Sequence, residues 1–350
     1  MRIALALSGG VDSSIALYLL KRAGHELFAL FMKNWKETGD TENYCPYQQD
    51  FDDAQQVCQI LGVPLYGVDF SEEYWETVFT NFIKKLKLGY TPNPDILCNK
   101  EIKFHQLFKR AKALGADALA TGHYCRTNGK ALLKASDCNK DQSYFLYAIN
   151  GQVLKHIVFP IGHMQKSAVR DLAQEIGLPV FNKKDSTGIC FIGKRDFQQF
   201  LKQYIPHKCG IIETIEGKEI GTHEGIYYYT IGQRKGIKIG GAGEAYFVIK
   251  KDLERNVLIV AQGANHPALF ASGLMATNVS WIEGCSPTFP LRCFAKIRYR
   301  QLEQPCIVKN KKNILYVHFD TAQRAITPGQ SIVFYKQDRC LGGAVIERVL

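Results

Sequence analysis

The chain has 350 residues and a formal net charge of +11, which predicts two or three domains and fits a nucleic-acid partner without requiring one. Its hydrophobic fraction of 46% is ordinary for a protein with apolar cores, and no stretch predicts a membrane span. The first residues lead directly into a predicted strand, so we expect no cleavable signal and a cytoplasmic location.

The N-terminal third alternates predicted strands and helices. We predict strands at residues 2–7, 26–32, 64–69 and 116–121, and helices at residues 15–23, 47–61, 71–88 and 101–114. This order predicts an α/β fold with a doubly wound parallel sheet. Ligands of such sheets bind beyond the carboxyl ends of the strands, where residues 8–14, Met32 and residues 121–123 fall.

The rest of the chain divides into a helical extension and an all-β part. Residues 123–205 predict helices at 165–176 and 196–205. After Gly210 the chain consists of short β-branched or aromatic runs broken by turn residues, which predict two small β domains, the last a barrel. The strands expected there are 226–231, 245–249, 257–260, 293–298, 314–319 and 331–335. With a linker at 263–267, we expect domains at 1–205, 206–267 and 268–350.

The most informative stretch is Ser8-Gly9-Gly10-Val11-Asp12-Ser13-Ser14. Its glycines let the backbone approach a ligand closely, and the N–H groups, dipole and hydroxyls at the start of the following helix favour a phosphate. The loop lacks the lysine of G-x-x-x-x-G-K-[ST] and does not match G-x-G-x-x-G. It resembles the S-G-G-x-D-S loop of ATP pyrophosphatases, which release pyrophosphate and pass the adenylate to a carbonyl oxygen. An ordinary strand-to-helix turn is the alternative.

Two of the eleven cysteines have unusual surroundings. Cys98 follows Thr91-Pro92-Asn93-Pro94-Asp95, and a helix predicted from residue 99 or 100 places it near a helix N-terminus beside Lys100 and Lys103, where a thiolate is favoured. Cys190 lies in a glycine-flanked loop among basic residues, which can move and present a sulfur. Spacing alone leaves a structural role open for both. The cysteine and histidine spacings predict no resident metal site and reduced thiols.

Several motifs together make the chain similar to the tRNA-specific 2-thiouridylase family over essentially its whole length. They are ALSGGVDSS, TPNPDILCNKEIKF, ATGHY, KDQSYFLY, DSTGICFIG, YYTIGQRKG, IRYRQ and TPGQS. The resemblance implies ATP-dependent sulfur transfer to C2 of the wobble uridine, position 34, of tRNA. It also implies an adenylated uridine intermediate and a cysteine persulfide, with ATP and Mg²⁺ as the required small molecules.

The resemblance further implies a role for individual residues. Cys190 would carry a persulfide received from an upstream donor protein, and Cys98 would either cleave it, giving a Cys98–Cys190 disulfide and free sulfide, or assist direct attack by the terminal sulfur. Asp95 would be the acid or base, with a helix cap as the alternative. The ATP-binding residues would be Ala6, Leu7, Ser8, Gly9, Gly10, Val11, Asp12, Ser13, Met32 and Gly122, with Asp12 helping to hold the magnesium. The tRNA-binding residues would be Asn93, Pro94, Asp95, His123, Lys140, Asp141, Gln142, Arg298, Tyr299 and Gln330.

A basic tract supports an RNA partner independently of the resemblance. If residues 296–301 form a strand, alternation places Lys296, Arg298 and Arg300 on one face, beside Tyr299. We expect a monomer that acts on flipped uridine. Two alternatives stay open at this point: an adenylating enzyme for another tRNA base or a small carboxylate, and a non-catalytic tRNA-binding protein.

Overall fold

The computed structural model describes residues 1–35, 46–184, 197–240 and 242–350. Five parallel strands lie in its N-terminal part: β1 (Arg2–Ala6), β2 (Glu26–Lys33), β3 (Leu65–Asp69), β4 (Ala118–Thr121) and β7 (Ile157–Val158). Their order in the sheet is β3-β2-β1-β4-β7, which confirms the doubly wound parallel sheet. The order reverses between β1 and β4, so a ligand site is expected at their carboxyl ends.

Helices cover both faces of this sheet and form two apolar cores. Val11–Arg22 and Pro46–Leu61 pack on one face. Residues 71–87 and 94–113 form two continuous helices on the other, each with a π-helical middle, Tyr74–Phe79 and Cys98–Leu107. The second helix begins with Pro94, not at residue 99 or 100, because proline suits the first helical position and Asn93 Oδ1 accepts the Asp95 N–H at 3.1 Å.

The predicted helical extension is only partly helical. Its helices are Ser143–Leu146, Gly151–Leu154, Lys166–Glu175 and Phe197–Leu201. It also contains β7 and a hairpin of β5 (Cys125–Thr127) and β6 (Leu132–Lys134). The hairpin pairs with the C-terminal strand Arg339–Val349 (β17), where Cys340 lies opposite Leu132. The N-terminal part therefore extends the C-terminal sheet.

A four-stranded sheet follows, made of β8 (Gly210–Thr214), β9 (Glu219–His223), β10 (Tyr246–Asp252) and β11 (Val257–Gln262) in the order β10-β11-β8-β9. The strand predicted at 226–231 was wrong. Ile226–Tyr228 instead forms a 3₁₀ turn in which Ile226 and Tyr228 are buried, so these apolar residues mark packing and not strand pairing.

The C-terminal part is a closed six-stranded barrel, as predicted. Its strands are β12 (Phe270–Trp281), β13 (Leu291–Lys296), β14 (Gln304–Lys311), β15 (Ile314–Arg324), β16 (Ser331–Lys336) and β17. Pairing of β12 with β17 closes it. β13 ends at Lys296, two residues before the end of the strand predicted at 293–298, so the alternation considered for residues 296–301 does not apply. Arg298 and Tyr299 lie in the following bend and turn. No helix within the described ranges is long and apolar enough to cross a membrane.

Candidate active site

The predicted phosphate-binding loop joins β1 to the helix Val11–Arg22 at the carboxyl edge of the parallel sheet. Gly9 has a φ of +70°, and a Cβ there would lie 2.1 Å from the Asp50 carbonyl oxygen. Position 9 therefore requires glycine for two reasons, the positive φ and the close approach of the Asp50 backbone. Gly10 occupies the N-cap position and has no side chain to cap the helix. The first N–H groups of the helix can thus bind an anion.

Serine hydroxyls hold this loop in shape. Ser13 Oγ and Ser14 Oγ donate to the Gly10 carbonyl oxygen at 3.1 and 2.9 Å. The Ser8 N–H donates to Ser13 Oγ at 3.2 Å, and the two hydroxyls are 3.1 Å apart. On the other side, a Cβ on Gly122 would lie 2.6 Å from the Ser13 nitrogen. Glycine at position 122 therefore lets β4 close tightly on the helix start, and the loop is preorganised.

Asp12 projects from the first turn of this helix and has two partners from distant parts of the chain. Lys166 Nζ donates to both carboxylate oxygens, at 2.7 and 2.8 Å, and the Tyr124 hydroxyl donates to Oδ1 at 2.8 Å. Lys166 is buried at the start of its own helix, and its ammonium lies 5.8 Å from the centre of the Tyr124 ring. The loop thus carries a fixed carboxylate beside a buried cation.

The carboxylate oxygens of Asp12 can serve as ligands for a magnesium ion that arrives with a nucleotide. Mg²⁺ in phosphate sites is commonly bound by one or two carboxylates, with phosphate oxygens and water completing the octahedron. Asp12 supplies one such carboxylate next to the phosphate-binding loop. Within the described ranges, no group of three or more His, Cys, Asp or Glu side chains could hold a metal by itself.

Lys183 reaches the outer side of the same loop. Its ammonium donates to the Gly9 carbonyl oxygen at 2.9 Å and to Asp50 Oδ1 at 2.7 Å, and it also contacts the Asp53 carboxylate. Burial opposes the charged form, but the hydrogen bonds that Lys183 donates to the two carboxylates, and their negative charges, outweigh it and raise the pKa of Lys183. Lys183 therefore ties its own segment to the phosphate-binding loop.

The other predicted ATP-binding residues lie along the same edge. Ala6 ends β1, and Leu7 continues it, donating its N–H to the Leu30 carbonyl oxygen. Val11 is buried under the helix start, and Met32 is buried near the end of β2. The structure thus brings the ends of β1, β2 and β4 together. Nucleotide binding by each residue stays a prediction.

Cys98 lies one turn inside its helix, and its side chain is 0% exposed. The helix begins five residues earlier than predicted, so Cys98 lies near its N-terminus but inside it, and the dipole argument weakens because that effect falls off within the first turn. Asp95, at the second position of the helix, and Cys98 share the segment that Asn93 caps. Beside them, Asn99 is buried with its Oδ1 unpartnered. Asn99 Nδ2 donates to the Phe145 carbonyl oxygen at 3.2 Å.

His123 lies between the end of β4 and the Cys98 helix. Its Nδ1 is 2.9 Å from the Thr121 hydroxyl, and its ring centre is 5.8 Å from that of Phe104 on the helix. Burial, together with the nearby positive charge of Lys103, holds the pKa of His123 well below its ordinary value. The imidazole is therefore neutral near pH 7 and can donate or accept a hydrogen bond without adding charge.

The predicted tRNA-binding residues differ in exposure and in the groups that they contact. Lys140 and Tyr299 meet, since the Tyr299 hydroxyl donates to the Lys140 carbonyl oxygen at 3.3 Å. Asp141 is instead 4% exposed. Its carboxylate accepts the Ala135 N–H at 3.1 Å and the Ser143 hydroxyl at 2.8 Å. In this conformation Asp141 shapes the loop and offers RNA little side-chain surface.

Three others bind protein groups. Gln142 Oε1 accepts the Tyr124 N–H at 2.8 Å. Arg298 donates to the Ile231 and Ala325 carbonyl oxygens at 2.9 and 3.0 Å, so it links the middle sheet to the barrel, and burial lowers its pKa. Gln330 Nε2 donates to the Thr91 carbonyl oxygen at 2.6 Å. Whether they also bind tRNA stays a prediction.

Cys190 lies outside the described residues, so its predicted pairing with Cys98 has no geometry to report. Sequence reasoning missed Lys166 and Tyr124, which lie 154 and 112 positions from their partner Asp12. It noted Lys183 only as a basic neighbour of Cys190. Such separations give no local pattern. The one available signal was their place beside predicted elements: Tyr124 follows the strand predicted at 116–121, and Lys166 lies at the start of the helix predicted at 165–176.

Three family models match consecutive parts of the chain. They are described as a tRNA methyl transferase HUP domain, a tRNA methyl transferase PRC-barrel domain and an aminomethyltransferase beta-barrel domain. They match residues 1–194, 198–262 and 271–346 respectively. The first alone covers more than half of the chain, and together they follow the order of the three sheets.

Proteins from three bacteria are similar to the chain over nearly its full length, and each is named tRNA-specific 2-thiouridylase MnmA. That of Shouchella clausii is 50% identical over 99% of this chain and 97% of that protein. Those of Protochlamydia amoebophila and Geobacillus kaustophilus are each 51% identical, over 99% and 100% of this chain and 93% and 96% of theirs. Among solved structures, the NMN synthetase of Francisella tularensis is 17% identical with a TM-score of 0.36, covering 56% of this chain and 71% of its own. That last likeness is too distant to inform function.

Proposed function

The chain belongs to the tRNA-specific 2-thiouridylase family, and from this premise we propose how its residues divide the work of thiolating tRNA. The reaction is ATP-dependent transfer of sulfur to C2 of a uridine in tRNA, and the enzyme is a tRNA-uridine 2-sulfurtransferase. We place the target at the wobble position, 34. The observation that carries the division of roles is the preorganised loop at residues 8–14, with Asp12 fixed by Lys166 and Tyr124.

In the first half-reaction, O2 of the uridine attacks the α-phosphorus of ATP, the bond to the β-phosphate breaks, and pyrophosphate leaves. C2 lies between two ring nitrogens and is a poor electrophile, so adenylation of O2 creates the leaving group that the second step needs. We propose that the loop N–H groups bind the departing pyrophosphate. Asp12 would hold Mg²⁺, which neutralises phosphate charge. Asp95 would take the N3 proton, as supported by its position three residues before Cys98.

In the second half-reaction, sulfur attacks C2 and AMP leaves. We propose that Cys190 carries the sulfur as a persulfide received from an upstream donor protein. Cys98 would either attack the inner sulfur, forming a Cys98–Cys190 disulfide and releasing sulfide, or assist direct attack by the terminal sulfur. Lys183, seven positions before Cys190 in the sequence, binds the Gly9 carbonyl oxygen, which supports delivery of the sulfur close to the phosphate-binding loop. Because Cys98 is buried, the reaction requires it to become exposed when tRNA binds.

The tRNA would lie across both parts of the molecule. We propose that Asn93, Pro94 and Asp95 contact the flipped uridine. His123, neutral near pH 7, would bind the same nucleotide. Contacts farther along the tRNA would come from Lys140, Asp141, Gln142, Arg298, Tyr299 and Gln330. The meeting of Tyr299 with Lys140 supports one continuous surface from the catalytic part to the barrel.

We further propose that the three parts are domains at 1–205, 206–267 and 268–350. The three sheets of the fold support this division, and among the described strands only the hairpin of β5 and β6 crosses from the first part to the sheet of the last. We also propose that the protein acts as a monomer in the cytoplasm, with tRNA and a sulfur-donor protein as its partners.

The test incubates the protein with ATP, Mg²⁺, a sulfide source and unmodified tRNA, and then analyses the nucleosides for 2-thiouridine. Cys98→Ser and Cys190→Ser should each abolish product when a persulfide donor supplies sulfur. Cys285→Ser, a change at an exposed cysteine of the barrel, should have no effect and serves as the control. Product at the wild-type rate from either active-site variant would refute its assigned role. Pyrophosphate release should persist in Cys190→Ser, because adenylation precedes sulfur transfer.

A further inference from the structure

The segment that leads into the Cys98 helix is bound to the C-terminal barrel. Thr91 donates its N–H to the Pro328 carbonyl oxygen at 2.9 Å, and its own carbonyl oxygen accepts Gln330 Nε2 at 2.6 Å. Both backbone groups of Thr91 therefore bind one turn, residues 328–330, between β15 and β16. Residues more than 230 positions apart thus fix the approach to the candidate active site.

Gly329, at the centre of this turn, makes the contact possible. Its φ is +91°, and a Cβ there would lie 2.7 Å from the Thr91 nitrogen and 2.8 Å from Tyr90 Cβ. These are backbone and near-backbone atoms, so they cannot move aside as the end of a flexible side chain can. Tyr90 adds a second link, since its hydroxyl donates to Glu347 Oε1 on β17 at 2.7 Å. The hydrogen bond to that carboxylate and partial burial raise the pKa of Tyr90.

The chain between Thr91 and Asp95 has little freedom to absorb a displacement. Pro92 and Pro94 each fix their own φ and restrict the residue before them. Asn93, between them, is held by its cap hydrogen bond to the Asp95 N–H. A shift of Thr91 must therefore pass into the first turn of the helix that carries Asp95 and Cys98.

We propose that the barrel turn 328–330 positions the catalytic helix, and that Gly329 is a positioning residue that sets the distance between barrel and helix. This rests on the proposed roles of Asp95 and Cys98. The barrel then has two functions: it binds tRNA, and it sets the geometry in which the bound uridine meets the reacting groups. Because glycine has no functional side chain, Gly329 can act only through the position of its backbone.

The test compares Gly329→Ala with Gly284→Ala in single-turnover thiolation of saturating tRNA. Gly284 also lies in the barrel with a positive φ of +74°, but a Cβ there meets nothing within 4 Å, so it controls for backbone strain alone. We expect Gly329→Ala to slow product formation about 10- to 100-fold, as misplacement near 1 Å does in enzymes. The tRNA dissociation constant should stay within about twofold of the control's, a few tenths of a kcal/mol. Equal rates for the two variants, or a rate loss matched by lost tRNA affinity, would overturn the proposal.

A milder variant covers the case in which Gly329→Ala fails to fold. Tyr90→Phe removes only the bond to Glu347 and should slow thiolation about 2- to 10-fold, the usual range for one hydrogen bond. Tyr66→Phe, at an exposed tyrosine, is its control, and equal rates for these two would also overturn the proposal. Amide hydrogen exchange gives a readout independent of chemistry. Backbone amides of residues 90–98 should exchange faster in Gly329→Ala or Tyr90→Phe than in the controls. This result does not depend on whether the wild type makes 2-thiouridine, so failure of the proposed function and failure of this positioning role can be told apart.

Discussion

Replacing Lys166 by methionine tests the charge arrangement at the phosphate-binding loop. Lys166 donates to both oxygens of Asp12, and the two side chains are 11% and 29% exposed. Removing one partner of a fully buried ion pair costs about 3–5 kcal/mol, whereas an exposed ion pair contributes about 0–1 kcal/mol. Because this pair is only partly exposed to solvent, we expect the loss of Lys166 to cost ~1.5–3 kcal/mol. Asp12 would then lose the partner that fixes its orientation and offsets its negative charge beside the triphosphate. With tenfold per 1.4 kcal/mol, kcat/KM for ATP should fall about 10- to 100-fold.

The assay measures tRNA-dependent pyrophosphate release as ATP is varied. Lys218→Met, at an exposed lysine of the middle sheet, controls for the loss of one positive charge and should match the wild type. In an Asp12→Asn background, adding Lys166→Met should cost much less than it does alone, because the charge it compensates is gone. A Lys166→Met enzyme within twofold of the wild type would refute the reasoning, as would equal losses in both backgrounds.

Three further predictions concern titration and salt. Burial and the charge of Lys103 depress the pKa of His123, so its NMR resonances should not titrate between about pH 6 and 8, and a midpoint near the ordinary value of about 6.5 would contradict this. Burial lowers the pKa of Lys251 to about 8, so between pH 8 and about 10.4 the unfolded chain binds more protons and stability rises with pH. Lys251→Met should therefore raise the melting temperature at pH 7 by an amount that shrinks towards pH 10, and a constant difference would contradict this. The logarithm of the tRNA association constant should fall linearly with the logarithm of salt concentration in filter binding, and a flat dependence would argue against phosphate contacts.

Local sequence patterns predicted the parallel sheet and its loop, because the residues that determine each of them are close together in the sequence. The loop needs two glycines and three serines within seven residues, and β1 is a single apolar run. The start of the Cys98 helix was misplaced because two prolines argued for extended chain. Proline at the first helical position after an asparagine cap satisfies both preferences.

Features set by distant partners could not be predicted. The hairpin of β5 and β6 consists of two three-residue strands, and its strand β6 pairs with β17, some 200 positions away. Arg298 leaves its predicted strand face because the Ile231 and Ala325 carbonyl oxygens bind its guanidinium. The partners of Asp12 were missed for the same reason. In each case the partners are far apart in sequence and meet only when the chain has folded.

The central claim is that the loop at residues 8–14 directs adenylation of the same uridine oxygen that sulfur replaces. The most direct measurement uses tRNA whose wobble uridine carries ¹⁸O at O2, incubated with ATP, Mg²⁺, a sulfur donor and the enzyme. Mass spectrometry of the products should find the ¹⁸O in AMP, with one label for each 2-thiouridine formed. Label in water or in pyrophosphate, with unlabelled AMP, would contradict the account.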